Sequence, residues 1–478
     1  MFYFFFLNEL KSLNSYAHDY PHKTKNIGKK YFMEIKSFHF KTKISLILSI
    51  ILIIVIVNKI PYYSDVNLKK VKFDDIHLSE INFVNPIFIN DTDPSYDWSK
   101  TAADNDWCSG TGSFSDPYVI KNIVVNGNGL SNGIEIQNSN KYFIIENSTL
   151  YNSSVGHDFA GITLENVNNS LIFKNNVSYN NGHGIRLISS FNNSILHNIA
   201  QNNTWEGIFL RYSANNTIRN NTVLNNHRGI RISDCGSQNI VDSNYIYGHS
   251  SDFTNSVGIG IYFSYNILIT NNNVFNNNYG IYLTQSANNT IMGNTINSNK
   301  RDGIGMQFSN NDNNKILNNT LVNNSYSGIR LGRGKKFLVK NNTIISSNPG
   351  ITMWGSNNVT ILENKIINCS SGIEVFGNNI TITRNNLTNS VIRLISPNEQ
   401  ISSYNITRSN FINGRSVYFY SNELSLTSSN FSSPGQIILY NTNNSILSKL
   451  EVLGGGITTL SCYNITMVDN SIQGYYNG

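Results

Sequence analysis

The sequence predicts an all-β solenoid, one long stack of short strands, on three observations. The phrase Gly-Ile-x-Leu recurs, most clearly as Gly161-Ile162-Thr163-Leu164, Gly184-Ile185-Arg186-Leu187, Gly207-Ile208-Phe209-Leu210, Gly229-Ile230-Arg231-Ile232, Gly280-Ile281-Tyr282-Leu283 and Gly328-Ile329-Arg330-Leu331. Most successive copies stand 22 or 23 residues apart, a period of stacked-repeat architectures. A second register follows each phrase: after Gly280, Asn288-Asn289-Thr290 turns, then Ile291, Asn294, Ile296 and Asn299 follow. The same spacing returns as Ile218, Asn221, Val223, Asn226 and as Ile316, Asn319, Leu321, Asn324. Such alternations broken by turns describe very short strands, not helices. Third, charged residues make up only 13% of the chain, and a composition rich in Asn, Ser, Ile and Gly suits turns and strands better than exposed helices. A chain of 478 residues would ordinarily suggest several globular domains; the uninterrupted repeat argues for one.

From the N-terminus, residues 44–57 form an apolar run preceded by Lys36, Lys41 and Lys43 and followed by Asn58, Lys59 and Tyr62-Tyr63. This is an export or anchor segment. No small-x-small cleavage site follows it, so the expectation is an uncleaved transmembrane anchor over 44–60 with snorkelling lysines. Residues 1–43 then make a cytoplasmic basic tail, and the rest lies outside the cell as a single-pass membrane protein. Met33 would open a compact signal of ordinary shape, which leaves two readings of residues 1–32, tail or misread start; they are excluded from fold reasoning. Residues 61–115 read as stalk and N-terminal cap, with Trp98, Trp107 and Cys108 as cap packing residues, because a first coil otherwise exposes apolar side chains and unpaired strand edges. The β-helix itself is assigned to 116–478.

The formal charge of +6 is concentrated at the start: residues 1–72 carry twelve Lys against four acids, leaving 23 basic and 25 acidic residues afterwards. The repeat is near neutral and has no general field for polyanions, so no nucleic-acid partner is expected. Within it, Asn175, Asn198, Asn221, Asn272, Asn294, Asn319, Asn342, Asn364 and Asn385 fall in one column. A buried Asn is costly unless its amide is paired, and a stack ~4.8 Å apart lets each amide donate to the next. Cys235 and Cys369 are about six coils apart, far beyond the ~7 Å reach of a disulfide, so free thiols are expected. Asn-x-Ser/Thr triplets at Asn152, Asn176, Asn215, Asn288, Asn318, Asn341, Asn379 and Asn464 are glycan acceptors if exported, a minority of them modified; Asn is also what a left-handed turn takes.

These residues resemble the right-handed parallel β-helix repeat family, specifically its NosD-like branch of exported archaeal and bacterial proteins; Asp116-Pro117-Tyr118-Val119-Ile120, Gly127 and Gly133-Ile134-Glu135-Ile136 look like that branch's first coil. The resemblance covers roughly 86–478 and implies about 15 coils, ~70 Å of stack at ~4.8 Å per coil. It implies a fold more than an activity. In the branch's namesake the implied role is copper-enzyme maturation; here Cys108, Cys235, Cys369 and Cys462 are widely separated, so no Cys/Met/His cluster suggests Cu(I), and no metal or cofactor is expected.

Chemistry is expected around the Gly-Ile phrase. Arg186, Phe209, Arg231, Tyr282 and Arg330 stand two places after the Gly, and Glu165, Arg211, Tyr262, Trp354 and Phe376 four places after; alternation turns both sets outward on one sheet. His183, Trp205, Glu206, His227 and Arg228 immediately precede it, with His157 and Asp158 on a longer turn. A face carrying Arg186, Arg211, Arg228, Arg231 and Arg330 with Trp205, Tyr282 and Trp354 is what carboxylated sugars need: guanidinium forks for carboxylates and flat rings for pyranose faces. Recognition of a cell-surface or environmental polysaccharide is therefore the leading function. The second is a glycan-active enzyme, hydrolase or lyase, with Asp158 and Glu206 as paired carboxylates about 10 Å apart and His183 between them. Gly182-His183-Gly184 resembles the Gly-His-Gly of polygalacturonases, whose paired Asp and later Arg-Ile-Lys are absent here. A structural envelope spacer is the third. The last coil, ending at Gly478, offers a contact for a homo-oligomer.

Overall fold

The computed structural model describes residues 82–236, 238–249, 256–369 and 371–474. The anchor expected at 44–60 and the basic tail lie outside the described residues. No helix among the described residues is long and apolar enough to cross a membrane.

The chain winds into a parallel β-solenoid of about 15 turns, and each regular turn contributes one strand to each of three sheets. The Gly-Ile phrases build a 13-stranded sheet that runs from Ile87–Asn90 to Ile392–Leu394. Its in-register partners stack like on like, for example Ile185 on Ile208 and Leu187 on Leu210. The interior is a continuous column of Ile, Leu and Val, most of them wholly buried.

Polar columns close the corners. The Asn ladder is unbroken from Asn175 to Asn410, and it includes Asn244, which stands one residue further from its phrase at Gly229 than Asn221 does from Gly207 and so escapes the regular spacing. Each Nδ2 donates to the next Oδ1, as from Asn198 to Asn221 at 3.1 Å and from Asn221 to Asn244 at 3.0 Å. Each Oδ1 also accepts the previous coil's backbone N–H, as Asn294 does from Asn272 at 2.9 Å. One side chain thereby satisfies a buried corner that the sheets cannot. A second ladder runs Asn180, Asn203, Asn226, then His249, Asn277, Asn299 and Asn324. Asn193 belongs to a third, donating to Asn216 Oδ1 and Val167 O from a fully buried position, while Asn192, the acceptor position of the triplet Asn192-Asn193-Ser194, is exposed on a left-handed turn. Asn152, Asn215, Asn288, Asn318, Asn341, Asn379 and Asn464 hold left-handed turns, the conformation short amide side chains tolerate best.

The N-terminal end begins before residue 116: Asn82–Val84 and Ile87–Asn90 already pair with Ile123–Asn126 and Ile134–Ser139. Between them and the first full coil, a helix at Trp98–Asp104, N-capped by Asp97, covers the stack. Trp98 is completely buried, stacks on Tyr118 at 4.9 Å and donates from Nε1 to Ser139; Cys108 is buried and Trp107 packs beside it. At the other end, Gln436 accepts from Ile392 N–H and donates to Ile392 C=O, closing the Gly-Ile sheet's last strand. The coils beyond it pack around a separate small core of Tyr418, Phe431, Ile437 and Leu447, and the last coil exposes Tyr463, Met467 and Ile472. All four cysteines are free thiols.

Candidate functional site

The glycine of each phrase decides which side chains reach the outer face. A Cβ on Gly184 would meet the Gly207 carbonyl oxygen at 2.4 Å and Asn203 Nδ2 at 2.9 Å, so the glycine faces inward against the second ladder, as Ile185 after it also does. Two successive inward positions break the alternation. The residue before the glycine and the one two places after it then share the outer face, as His183 with Arg186, Glu206 with Phe209, Arg228 with Arg231, and Tyr279 with Tyr282.

Three neighbouring coils converge on Glu206. Its carboxylate is 1% exposed; Oε1 accepts from Arg228 at 2.8 Å and Arg231 at 3.2 Å, and Oε2 lies 2.9 Å from His183 Nδ1. The His183 approach is off the line of a good hydrogen bond and acts as a close polar contact. His183 is itself buried, its Nε2 3.1 Å from the His157 carbonyl oxygen and its ring stacked on Phe209 at 4.9 Å. Burial alone would raise the Glu206 pKa, but His183, Arg228 and Arg231 outweigh it and hold the carboxyl well below the usual carboxylate range. An ionised, dry carboxylate ringed by cations fixes their positions, and removing it would strand them.

The cluster extends in both directions along the sheet. Trp205 lies against the His157 ring, 3.7 Å between centroids, and edges onto His227; burial, with Arg228 beside it, lowers the His227 pKa. Arg186 is largely buried and reaches the 88% exposed Asp158 at 3.3 Å. Arg231 lies over both Phe209 and Tyr262, and Tyr262 leads to Tyr282 and Tyr279. Tyr262 folds across Gly260, where a Cβ would come within 2.6 Å of its ring. Beyond them, Asp302, 2% exposed, pairs with Arg330 at 2.6 Å, and burial raises its pKa despite that partner. Burial also raises the Tyr282 hydroxyl well above its ordinary value, and the hydroxyl donates to Gln307 at 2.9 Å. The Nε donors of Arg186, Arg231 and Arg330 are buried without an acceptor among the described residues.

Of the expected residues, His183, Glu206, Arg228 and Arg231 thus touch one another, and Trp205, Arg186, Tyr282 and Arg330 continue the row. Arg211 sits at the sheet's edge, paired with Asp234 at 3.3 Å and lying over Tyr212. Trp354 is 61% exposed several coils away. His183 and Glu206 open the strands His183–Ile188 and Glu206–Arg211 and are buried. Asp158 stays on its longer turn before the strand Ala160–Val167. Sequence reasoning missed Asp302 and Tyr279. Both precede the glycine of a phrase, the signal that singled out Glu206, but Gly303-Ile304-Gly305-Met306 is an imperfect copy.

Among the described residues no three His, Cys, Asp or Glu side chains come together as ligands. Burial pushes the Cys108 and Cys235 thiols up to about 11, so neither is a thiolate near neutral pH. These residues do not fit a copper site.

A family model described as "Right handed beta helix region" matches residues 108–246 and 242–366, and one described as "Periplasmic copper-binding protein (NosD)" matches 305–437. No curated protein matches the chain. Among solved structures, the Dettilon tailspike protein is 16% identical with a TM-score of 0.46, over 60% of this chain and 63% of its own. The A-module of a mannuronan C-5 epimerase from Azotobacter vinelandii is 14% identical, TM-score 0.37, over 62% and 80%. A tailspike double mutant of E. coli bacteriophage HK620, solved with a pentasaccharide, is 13% identical, TM-score 0.39, over 80% of each chain.

Proposed function

Because the chain belongs to the right-handed parallel β-helix repeat family, with a NosD-like stretch, we propose that its Gly-Ile sheet recognises an acidic polysaccharide outside the cell. The observation that carries this is the row of guanidiniums, Arg186, Arg231 and Arg330, held in place by acidic partners yet still partly open to solvent and set among Phe209, Tyr262 and Tyr282. Carboxylates of a uronic-acid chain match the guanidinium forks, and its C–H faces match the rings. In this reading Glu206 does not touch the glycan. It holds Arg228 and Arg231 in one geometry, so that binding loses little side-chain freedom. Export, and anchoring through residues 44–60, are part of the same proposal and rest on the apolar run behind its lysines.

A catalytic scheme on Asp158, His183 and Glu206 would use the same surface. With Glu206 held ionised and dry, only the role of base is open to it there, and it would first have to leave its cations. The test is a panel of immobilised polyuronates and neutral glycans probed with wild type and with Arg186→Gln and Arg330→Gln. Wild type should retain the polyuronates, more weakly as salt rises, and each variant should retain less. If wild type retains no acidic glycan, or the variants match it, the reading is lost and the spacer role remains. Release of reducing ends by wild type would favour the catalytic scheme.

A further inference from the structure

We propose that the corner bordering this sheet is a rail of aromatic platforms gripping an extended polysaccharide at every second sugar. The inference rests on the recognition reading above and adds the ligand's direction, along the solenoid axis, and a two-sugar repeat. Pairing aligns Arg211, Ser233, Tyr262, Thr284 and Gln307 across successive coils, so the residues that follow them, Tyr212, Asp234, Phe263, Gln285 and Phe308, form one column. Its aromatic members alternate strictly with polar ones. Two coils beyond Phe308, Trp354 stands one place earlier in its coil, just after the strand Ile351–Met353, because Gly355 takes the left-handed position there.

These rings are 50–65% exposed, and Tyr212, Phe263 and Phe308 sit at φ +52°, +49° and +62°. A left-handed backbone is unfavourable for a bulky residue. The corner that holds Asn152, Asn202, Asn225, Asn276 and Asn323 takes mostly Asn. Side chains that accept such a backbone yet gain little burial point to a contact outside the chain. Arg211 lies over the Tyr212 ring and donates to its hydroxyl at 2.9 Å, which pins one platform and puts a cation beside it.

Spacing and chemistry together select the occupant. At ~4.8 Å per coil the platforms lie about 10 Å apart, and one coil is close to the advance of one pyranose in an extended chain. Isolated rings separated by Asp234 and Gln285 are not the contiguous apolar patch that a protein or lipid surface buries. They suit a chain that presents a C–H face at alternate sugars and hydroxyls at the sugars between. Arg186 and Arg330 on the adjoining sheet supply the carboxylate partners. The ligand class is therefore an extended acidic ribbon whose repeat is two residues, through alternating composition or a two-fold screw.

The test titrates the whole protein by calorimetry with oligomannuronates of increasing length and with neutral cello-oligosaccharides, using wild type, Phe263→Asn, Phe308→Asn and the double variant. Asn suits these corners, so thermal midpoints should hold or rise, which separates loss of a ring from loss of fold. Affinity should climb in steps of two sugars, and the double variant should lose at least about tenfold on the longest oligomer, the sum of two stacking contacts. The same stepped gain on neutral oligomers alone would uphold the rail while removing the acidic preference. A double variant equal to wild type on a ligand that wild type binds, or a smooth gain with each added sugar, overturns the rail and leaves the recognition reading standing. If wild type binds neither series, both fall.

Discussion

Replacing Asn294 by Leu tests whether the Asn ladder carries the stability of the stack. Asn294 Nδ2 donates to Asn319 Oδ1 at 3.0 Å and to the Ile269 carbonyl at 2.9 Å, while its Oδ1 accepts the backbone N–H of Asn272 at 2.9 Å. Leucine has a similar volume and none of these groups. The stranded Asn272 N–H costs about 1–3 kcal/mol, and the two lost amide bonds about 0.5–1.5 kcal/mol each. The added apolar surface returns up to about 2 kcal/mol, so the midpoints of these ranges leave an expected net loss of about 3 kcal/mol. Urea denaturation reads the total, and hydrogen exchange at the Asn272 amide reads the site, which should open faster than its ladder neighbours. Tyr326→Ala, at a 60% exposed position, is the control and should cost less than about 0.5 kcal/mol. If the two variants unfold together, or if Asn272 exchange is unchanged, the ladder is ornament and the argument from buried amides fails.

Three further outcomes are expected. His249 stands in the second ladder as a neutral ring, accepting from Asn226 N–H and facing Val223 C=O through Nε2, and burial lowers its pKa to about 4. The unfolded chain therefore takes up this proton from about pH 6.5 downward while the folded chain refuses it, so stability should fall as pH drops toward 4. His249→Asn should flatten that slope in denaturation series across this range, and an unchanged slope would refute the assignment. Glu206, whose folded pKa is depressed, contributes stability above the ordinary carboxylate range that is lost as pH falls below it; Glu206→Ala should remove that acid dependence and cost about 3–5 kcal/mol at neutral pH, whereas an effect under about 1 kcal/mol would mean Arg228 and Arg231 do not depend on it. For topology, protease added to intact cells should remove residues beyond 60 and spare the lysine-rich tail, and an uncut protein beside a cleaved exported control would sink the anchored reading.

The fold was legible because its physics is periodic. A glycine that must face Asn203 and a corner Asn that must bond the next Asn recur at fixed spacing, so each position is specified many times over. The site is written once, and its legibility was uneven. Alternation placed Arg186, Arg231, Tyr282 and Arg330 outward, as the structure has them. It could not show that Glu206 and His183 would be dry, because that depends on guanidiniums from the following coil and a ring from the same strand folding over them. Asp302 was hidden by Gly305, which breaks the phrase used to find coils, yet that glycine gives Asp302 room: a Cβ there would come within 3.1 Å of its carboxylate. Asp158 lies on an insertion, where periodicity says nothing.

The Asn ladder also has a sense. From Asn175 to Asn410 every side-chain amide donates toward the C-terminal neighbour, so the amide dipoles add head to tail and polarise one another. An interior rung is strengthened from both sides, a terminal rung from only one. A finished coil therefore presents an ordered row of acceptors and donors to the coil still being laid down, a template that rewards growth in register and penalises a slip by one residue. Inserting or deleting a whole coil preserves that template, and inserting half of one breaks it. Length along the axis is thus the dimension in which this molecule is free to vary, and any platform spacing written along it would stretch or shrink in whole coils.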